Sequence, residues 1–444
     1  MSWEIFRGDF LKKVAFHTLG CKVNQYETEA MEELFEREGY ELVGEEDFAD
    51  VYVINTCTVT NMSDRKSRQF IRRAKRLNKD SILAVVGCYS QTSPEEIEEI
   101  EGVDVILGTS SRNRIVELCQ EAGLENKRIN MVKDIRQNRE FEKISINDLN
   151  DMTRAYIKIQ DGCNQYCSYC IIPYARGPIR SRDIEDIYEE VVELAAKGFK
   201  EIILTGIHVA SFGKDFEDSR DLKDLIGLIS TVDGIERIRF SSVEPRLIDH
   251  DFMKVLVESG KCCDHFHLSL QSGSDTVLKR MNRKYDRAEY REKVDLIRHY
   301  MPEAGITTDI IVGFPGETEE EFQETMDFVE EIGFSRLHVF KYSKREGTPA
   351  ASMENQIDGN TQQERSARLI DLGERTMEDF AKAFIGRTLK VLVEENSDGR
   401  TLEGYTSNYL RVSLDYNPDL IGRIIELEIV GLRGDLLVGK PVDM

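Results

Sequence analysis

Arg154-Ala-Tyr-Ile-Lys-Ile-Gln160, followed by Cys163-Asn-Gln-Tyr-Cys167-Ser-Tyr-Cys170, decides how this chain is read. The first run reads as a strand, and the second as a loop just beyond it. Three thiols spaced CxxxCxxC within eight residues can reach one metal centre. Zinc usually takes four ligands, and no fourth Cys or His lies nearby in sequence. Three cysteines suit a 4Fe–4S cluster whose fourth iron stays open to a substrate or cofactor. Spacing alone leaves two alternatives: a zinc loop completed by a remote ligand, or three unrelated buried thiols.

Downstream of that loop the βα theme repeats. Candidate strands at 154–160, 201–205, 236–241, 265–270, 307–312 and 336–340 alternate with helical patterns. The helix over 185–197 places Ile187, Tyr188, Val191, Val192 and Ala195 on one stripe. Six units predict an open, partial (βα)6 barrel, with ligands at the C-terminal ends of its strands. A helix over 361–385 follows, and from Gly386 the character changes. Short strands at 389–393, 404–406, 410–414 and 424–430 predict a small all-β module.

Upstream, Val- and Ile-rich runs at 13–18, 51–55, 82–86 and 103–107 alternate with helical patterns at 24–38, 61–78, 94–101 and 111–121. This predicts a parallel sheet covered by helices. The expected organisation is an N-terminal parallel α/β domain (1–125), a polar linker (126–151), the partial barrel (152–382) and the β module (383–444). Several domains suit 444 residues, since single cores stop growing near ~250–300. The fold class is α/β. No GxGxxG or Walker A pattern occurs, so neither a Rossmann nucleotide site nor a P-loop is supported.

A content of 40% hydrophobic and 32% charged residues reads as globular. No run of ~18 apolar residues exists, so no transmembrane helix is expected. The opening MSWEIFRGDFLKKVAFHT lacks an apolar signal core, so the expected location is cytoplasmic. Nine cysteines, an odd number, argue against a disulfide framework and for metal or redox chemistry. The net charge of −23 weighs at first against a nucleic-acid partner. Its distribution weakens that objection. Residues 27–50 carry eleven acids and one base, and 94–104 and 317–331 carry acids alone, all read as outer helix faces. Residues 65–76, RKSRQFIRRAKR, hold seven bases and no acid.

The CxxxCxxC loop after the first strand of a six-unit barrel resembles the radical S-adenosylmethionine (SAM) superfamily. That resemblance implies that the open iron chelates SAM, and that an electron from the cluster cleaves it to a 5′-deoxyadenosyl radical. Other segments are similar to the superfamily's SAM contacts: Thr205 and Gly206 ending the second strand, and Ser242 and Glu244 ending the third. Gln271 and Arg283 match positions that hold ribose and carboxylate. Asp309 lies beside the expected adenine site, and Tyr169 is placed to stack on adenine. Singly, each has a bland reading as a surface acid, a cap or a packing residue.

Cys21, in Thr-Leu-Gly-Cys-Lys-Val-Asn, Cys57, in Asn-Thr-Cys-Thr-Val-Thr, and Cys88, in Val-Val-Gly-Cys-Tyr, each follow a strand. Sites gather at such strand ends in open α/β domains. Without a family likeness these three would read as buried structural thiols. With it, the chain resembles the methylthiotransferase family: an N-terminal domain with three cysteines for a second 4Fe–4S cluster, a radical SAM barrel, and a C-terminal β module called TRAM. The wording around Cys21 and Cys57 most resembles the branch acting on N6-threonylcarbamoyladenosine at tRNA position 37. A departure is Arg176-Gly-Pro-Ile-Arg180-Ser-Arg182, where a further arginine commonly follows the glycine. The resemblance implies two SAM molecules, one giving a methyl group to cluster-borne sulfur and one the radical that takes hydrogen from C2 of adenine. It also implies an external electron donor and a sulfur source, and no membrane.

Arg65, Arg68, Arg72 and Arg76 share one helical face and are candidates for tRNA phosphates, against the plainer reading of a solvated helix. Lys341, Lys344 and Arg345 follow the sixth strand and are candidates for the anticodon loop or the modified base. Over 383–444, seven bases face ten acids, so a tRNA role for that module rests on resemblance alone. Cys119 reads as a core thiol, His267 as interior packing, and His208 as facing the cavity. Cys262-Cys263 is a vicinal pair without an assigned role. The rival readings are a methylthiotransferase of ribosomal protein or of isopentenyladenosine tRNA, and a zinc-stabilised RNA-binding protein.

Overall fold

Strands buried on both faces need apolar residues at every position, and the upstream Val/Ile runs meet that need. The computed structural model describes residues 12–144, 153–395 and 399–442. In it Lys13–Thr18, Val51–Thr56 and Ile82–Gly87 lie side by side as parallel strands. Glu41–Val43 extends one edge, and Val105–Ile106 and Ile129–Asn130 the other. Val51 and Val53 pack on one face with Met31, Phe35, Ile115 and Leu118, from helices Lys22–Arg37 and Ile115–Glu125. Tyr52 and Ile54 pack on the other with Ile71, Ala74 and Ile97, from Asn61–Leu77 and Pro94–Glu98.

Two edge strands lie outside the sequence expectation. At three and two residues they are too short to show a period. Ile129–Asn130 belongs to the segment read as a linker, and Ile135 within that segment is buried. Residues 145–151 of that segment lie outside the described residues.

The described chain forms two compact units. The first comprises residues 12–144 with Gly162–Asn164 and Cys170–Arg180; the second holds the remainder, barrel and β module together. In the second unit Arg154–Asp161, Glu201–Gly206 and Arg237–Phe240 are parallel neighbours. Ser242–Val243, His265–Leu268, Gly305–Val312 and Arg336–Lys341 form the other parallel set. The third strand thus breaks at Ser241, pairing first with the second strand and then with the fourth. The six expected strands are present among the described residues, with the short Arg180–Ser181 at the edge of the first set and Ser242–Val243 at the edge of the second. Helices between them start on side-chain caps: Asp183, Asp221, Asp249, Asp286 and Thr318 each accept backbone N–H bonds.

The helix expected at 185–197 runs Ile184–Ala196 and buries Ile184, Ile187, Val191 and Leu194. Val192 is 40% exposed, so the expected stripe is corrected by one position. Spacing from Ile184 at i+3, i+7 and i+10 sets the buried line.

The last five strands, Thr388–Glu395, Thr401–Thr406, Arg411–Asp415, Ile424–Arg433 and Leu436–Pro441, close a small barrel. It docks where the larger barrel's strands begin. Glu201 is fully buried there and receives the Arg239 guanidinium at 2.7 Å and Arg237 Nη1 at 3.5 Å. Those arginines also donate to the carbonyls of Tyr405, Thr406 and Ser407. The Tyr409 ring stacks on His265 at 4.5 Å and under Arg239 at 4.7 Å. A Cβ on Gly305 would meet the Asn408 carbonyl at 2.3 Å, so only glycine permits this approach. Among the described residues no helix is long and apolar enough to cross a membrane.

Candidate functional site

Three adjacent parallel strands deliver three cysteines to one edge of the N-terminal sheet. Cys21 caps the start of Lys22–Arg37, Cys57 follows Val51–Thr56, and Cys88 opens Cys88–Thr92 directly after Ile82–Gly87. Glycine makes two of these turns possible. Gly20 has φ +115°, and a Cβ on it would stand 2.9 Å from Cys57 Cβ and 3.1 Å from its Sγ. Gly87 has φ +100°, and its Cβ would strike the Thr56 carbonyl at 2.5 Å. Asn24 Nδ2 binds the carbonyls of Leu19 and Thr56, fixing the turns that carry Cys21 and Cys57.

Each of the buried sulfurs is harder to ionise because of its neighbours. Burial pushes the Cys88 thiol up to about 12; Arg176 opposes that shift, while Cys57 and Cys21 add to it. Burial also raises Cys57, and Cys21 reinforces it. Three thiols of mutual influence beside one guanidinium are a donor set that fits an iron–sulfur cluster with an open iron. Among the described residues no three His, Cys, Asp or Glu side chains stand close enough to share a single metal ion. Thiolates on separate irons stand farther apart than ligands on one ion, so this is compatible with a cluster.

Arg176 was not singled out as a site residue in the sequence. It is fully buried, its Nε donates to Cys88 Sγ at 3.4 Å, and its Nη atoms donate to Glu27 at 2.5 and 2.9 Å. Glu27 also pairs with Arg112. Glu27 and Glu33 are 2% and 7% exposed, and Glu317 is also buried. The expectation that the acidic runs lie on outer faces is corrected for these three. A carboxylate beside a buried guanidinium is stable inside, and a charge count cannot locate such pairs.

The CxxxCxxC loop is bonded in place on both sides. Cys163 N donates to the Gly177 carbonyl at 3.0 Å, and a Cβ on Gly162 would collide with the Pro178 carbonyl at 1.9 Å. Cys167 Sγ accepts from Arg283 Nη1 at 3.2 Å. Ser168 bonds the carbonyls of Met281 and Arg280. Cys163 and Cys167 are buried and Cys170 is half-buried. Tyr169 packs against an apolar group of Val277, Met281, Phe314, Tyr342 and Ala350. Three thiols with a guanidinium on one sulfur again fit a three-cysteine cluster.

At the ends of the barrel strands, Thr205 is buried and Gly206 leaves room for Gln160, whose side chain a Cβ would meet at 3.1 Å. Gln160 Oε1 accepts from His208 N at 2.7 Å. Glu244 is buried beside His208 Nε2 at 3.6 Å and Arg246 Nε at 3.0 Å. Burial alone would raise its carboxyl, but the bonds from His208 and Arg246 outweigh it and hold the group at about 2. The carboxylate is therefore ionised at neutral pH. Gln271 has φ +73°, a conformation costly for a residue with a Cβ; its amide donates to the Asp309 carbonyl and its carbonyl accepts from Ile311. Arg283 also donates to Tyr285 OH at 2.9 Å. Asp309 accepts from His267 Nε2 at 3.3 Å, so His267 is a polar partner of that acid as well as part of the interior. Ser242 is exposed. A cleft of about 430 Å³ opens beside Glu244 and Arg246, lined also by Phe212, Lys214 and Arg220.

On Asn61–Leu77, Arg65, Arg72 and Arg76 are exposed, whereas Arg68 is engaged by Tyr89 OH at 2.6 Å and Glu96 at 3.5 Å. Lys341 binds Gln363 at 2.7 Å. Arg345, a candidate for the anticodon loop, is buried, at odds with an open RNA contact. Cys119 sits in the sheet core as expected. Burial pushes Cys262 up to about 11 and Cys263 up to about 12, keeping both as neutral thiols.

Two family models match: Radical SAM superfamily over residues 157–329, and Uncharacterized protein family UPF0004 over residues 13–108. The chain is 47% identical to the threonylcarbamoyladenosine tRNA methylthiotransferase MtaB of Bacillus subtilis (strain 168), covering 94% of this chain and 93% of that protein. It is 37% identical to a tRNA-2-methylthio-N(6)-dimethylallyladenosine synthase of Alkaliphilus oremlandii, covering 97% and 93%. Among solved structures, the radical SAM methyltransferase TsrM from Kitasatospora setae superposes with a TM-score of 0.57 at 16% identity, covering 77% of each chain. That likeness is one of fold.

Proposed function

This chain belongs to the radical SAM methylthiotransferase family, and on that premise we propose that it methylthiolates C2 of N6-threonylcarbamoyladenosine at tRNA position 37. The observation that carries the substrate is the 47% identity to the threonylcarbamoyladenosine tRNA enzyme of B. subtilis across 93% of that protein. The dimethylallyladenosine relative stands at 37% over the same share. Cys21, Cys57 and Cys88 hold an auxiliary 4Fe–4S cluster in this reading, and Cys163, Cys167 and Cys170 a SAM-binding one. The cluster on Cys163, Cys167 and Cys170 would supply the electron that cleaves SAM, and the one on Cys21, Cys57 and Cys88 would supply the methylthio sulfur.

The chain's own residues bind and orient. The ionised Glu244 accepts hydrogen bonds from the SAM ammonium, and Thr205 and Gly206 offer backbone beside it. The Arg283 guanidinium, already on Cys167, would pair with the SAM carboxylate. Gln271, Asp309 and Ser242 are the polar groups for ribose and adenine, and Tyr169 gives adenine an apolar face. Arg65, Arg72 and Arg76 meet tRNA phosphates, and the five-stranded C-terminal barrel acts as the TRAM module. An external reductant and a sulfur source complete the reaction in the cytoplasm.

The test separates the two cysteine sets. Reconstituted protein should carry roughly eight irons with matching labile sulfide. Cys163→Ala should abolish SAM cleavage. Cys57→Ala should leave SAM cleavage and stop methylthiolation. Zinc without sulfide, or methylthio product from Cys57→Ala, would overturn the reading.

A further inference from the structure

Arg176 links the parts of the auxiliary site more completely than any single cysteine. Its guanidinium has three engaged sides. Nε donates to Cys88 Sγ at 3.4 Å, Nη1 and Nη2 grip Glu27, and Nη2 also donates to Asn24 Oδ1 at 2.5 Å. Asn24 in turn holds the carbonyls of Leu19 and Thr56, the residues just before the Cys21 and Cys57 turns. Through one planar group, then, all three cysteine-bearing strand ends are tied together. The fork is fixed, because a guanidinium bonded on both Nη atoms cannot turn its Nε away.

The surroundings make this arrangement costly for stability alone. Arg176 and Arg112 are fully buried, and Glu27 and Glu142 balance them. Apolar residues of similar volume are often as stabilising as a buried ion network. The network leaves Arg176 aimed at a sulfur, where a cation acts on whatever charge the sulfur carries.

Arg176 also ends the short helix Ile172–Arg176, which begins two residues after Cys170. Arg176 stands six positions after Cys170. The helix is bonded at its end. Thr109 Oγ1 donates to the Ala175 carbonyl at 2.7 Å, and Arg180 Nη1 to the Arg176 carbonyl at 2.8 Å.

We propose that Arg176 is a positioning residue of the auxiliary site, whose Nε–H bond to Cys88 Sγ sets the reduction potential of the cluster held there and ties that sulfur to the helix following Cys170. The proposal rests on the reading of Cys21, Cys57 and Cys88 as cluster ligands. A donor to a ligating sulfur favours the reduced, more negative cluster, so losing the bond lowers the potential. The bond is stronger to the reduced sulfur than to the oxidised one, and the expected shift in the reduction equilibrium is roughly tenfold, which is 59 mV for a one-electron couple.

The experiment uses the full chain with Cys163, Cys167 and Cys170 all replaced by alanine, so that one cluster remains. Iron, sulfide and an EPR-monitored redox titration are read for this background, for Arg176→Lys in it, and for the paired change Arg176→Met with Glu27→Gln, which removes both buried charges together. The expected result is about four irons per chain in all three. The potential should fall by the tenfold equivalent in both Arg176 variants, with unchanged circular dichroism. Should Arg176→Lys fail to fold, the charge-balanced pair carries the same expectation. An unchanged potential with full iron overturns the role of Arg176. A background without iron overturns instead the assignment of Cys21, Cys57 and Cys88.

Discussion

On the proposed assignment, Gly20→Ala should injure the Cys21, Cys57 and Cys88 site and spare the one at Cys163, Cys167 and Cys170. Gly20 holds φ +115°, a region where a residue with a Cβ pays roughly 1–3 kcal/mol. The added methyl would lie 2.9 Å from Cys57 Cβ, 3.0 Å from Asn24 Nδ2 and 3.1 Å from Cys57 Sγ. Carbon atoms pack without repulsion at roughly 3.5–4.0 Å, so Cys57 must retreat by roughly 0.6–1 Å. Asn24 cannot yield freely, because it carries the Leu19 and Thr56 carbonyls and the Arg176 bond. Disturbing the supports of a metal ligand typically costs about 10–100-fold in affinity or activity. The assay is anaerobic reconstitution followed by iron analysis, SAM cleavage and methylthio-nucleoside yield on the same preparation. Iron should fall from roughly eight towards four, with SAM cleavage retained and methylthio product down at least roughly tenfold. Full iron with full product would refute the steric argument. Equal loss of both reactions would refute its confinement to one site.

Glu201→Ala strands the Arg239 and Arg237 guanidinia without their carboxylate, and should cost roughly 3–5 kcal/mol, read as a fall of about 10 °C in the melting midpoint. An unchanged midpoint would show that the network contributes nothing. The same carboxylate predicts an acid response. Burial would raise it, but Arg239, with Arg154 and Arg237, holds it below the ordinary range. A lowered folded value means that its contribution is full above the unfolded value of roughly 4.3 and is lost as pH falls through the folded one. Wild type should therefore lose stability below about pH 4 more steeply than Glu201→Gln. Replacing Arg65, Arg72 and Arg76 together by alanine should weaken tRNA binding and flatten its salt dependence by up to roughly three counterions, while leaving SAM cleavage without tRNA intact. Salt slopes equal to wild type would remove that helix face from the interface.

Strands were legible wherever burial on both faces demands continuous apolar runs, as in Val51–Thr56 and Ile82–Gly87. The six barrel strands were read nearly to their ends for the same reason. The edge strands Glu41–Val43 and Ile129–Asn130 were not, because two or three half-exposed residues carry no period. Leu436–Pro441 was missed because it pairs with strands whose register only closure of the small barrel defines. At the site, the positions of Cys21, Cys57 and Cys88 after strands were visible, but their adjacency depends on strand order. The Arg176–Glu27 pair joins positions 149 residues apart, and no spacing rule reaches that far. Arg345 was read as an RNA candidate from its place after the sixth strand, whereas the fold buries it.

The most direct test is mass spectrometry of nucleosides after anaerobic reaction of the reconstituted protein, SAM and a reductant with tRNA bearing N6-threonylcarbamoyladenosine. Parallel reactions contain dimethylallyladenosine tRNA or ribosomal protein. The account predicts a methylthio mass gain at position 37 of the first substrate alone. A gain only on another substrate, or no gain while SAM is cleaved and both clusters are intact, would contradict it.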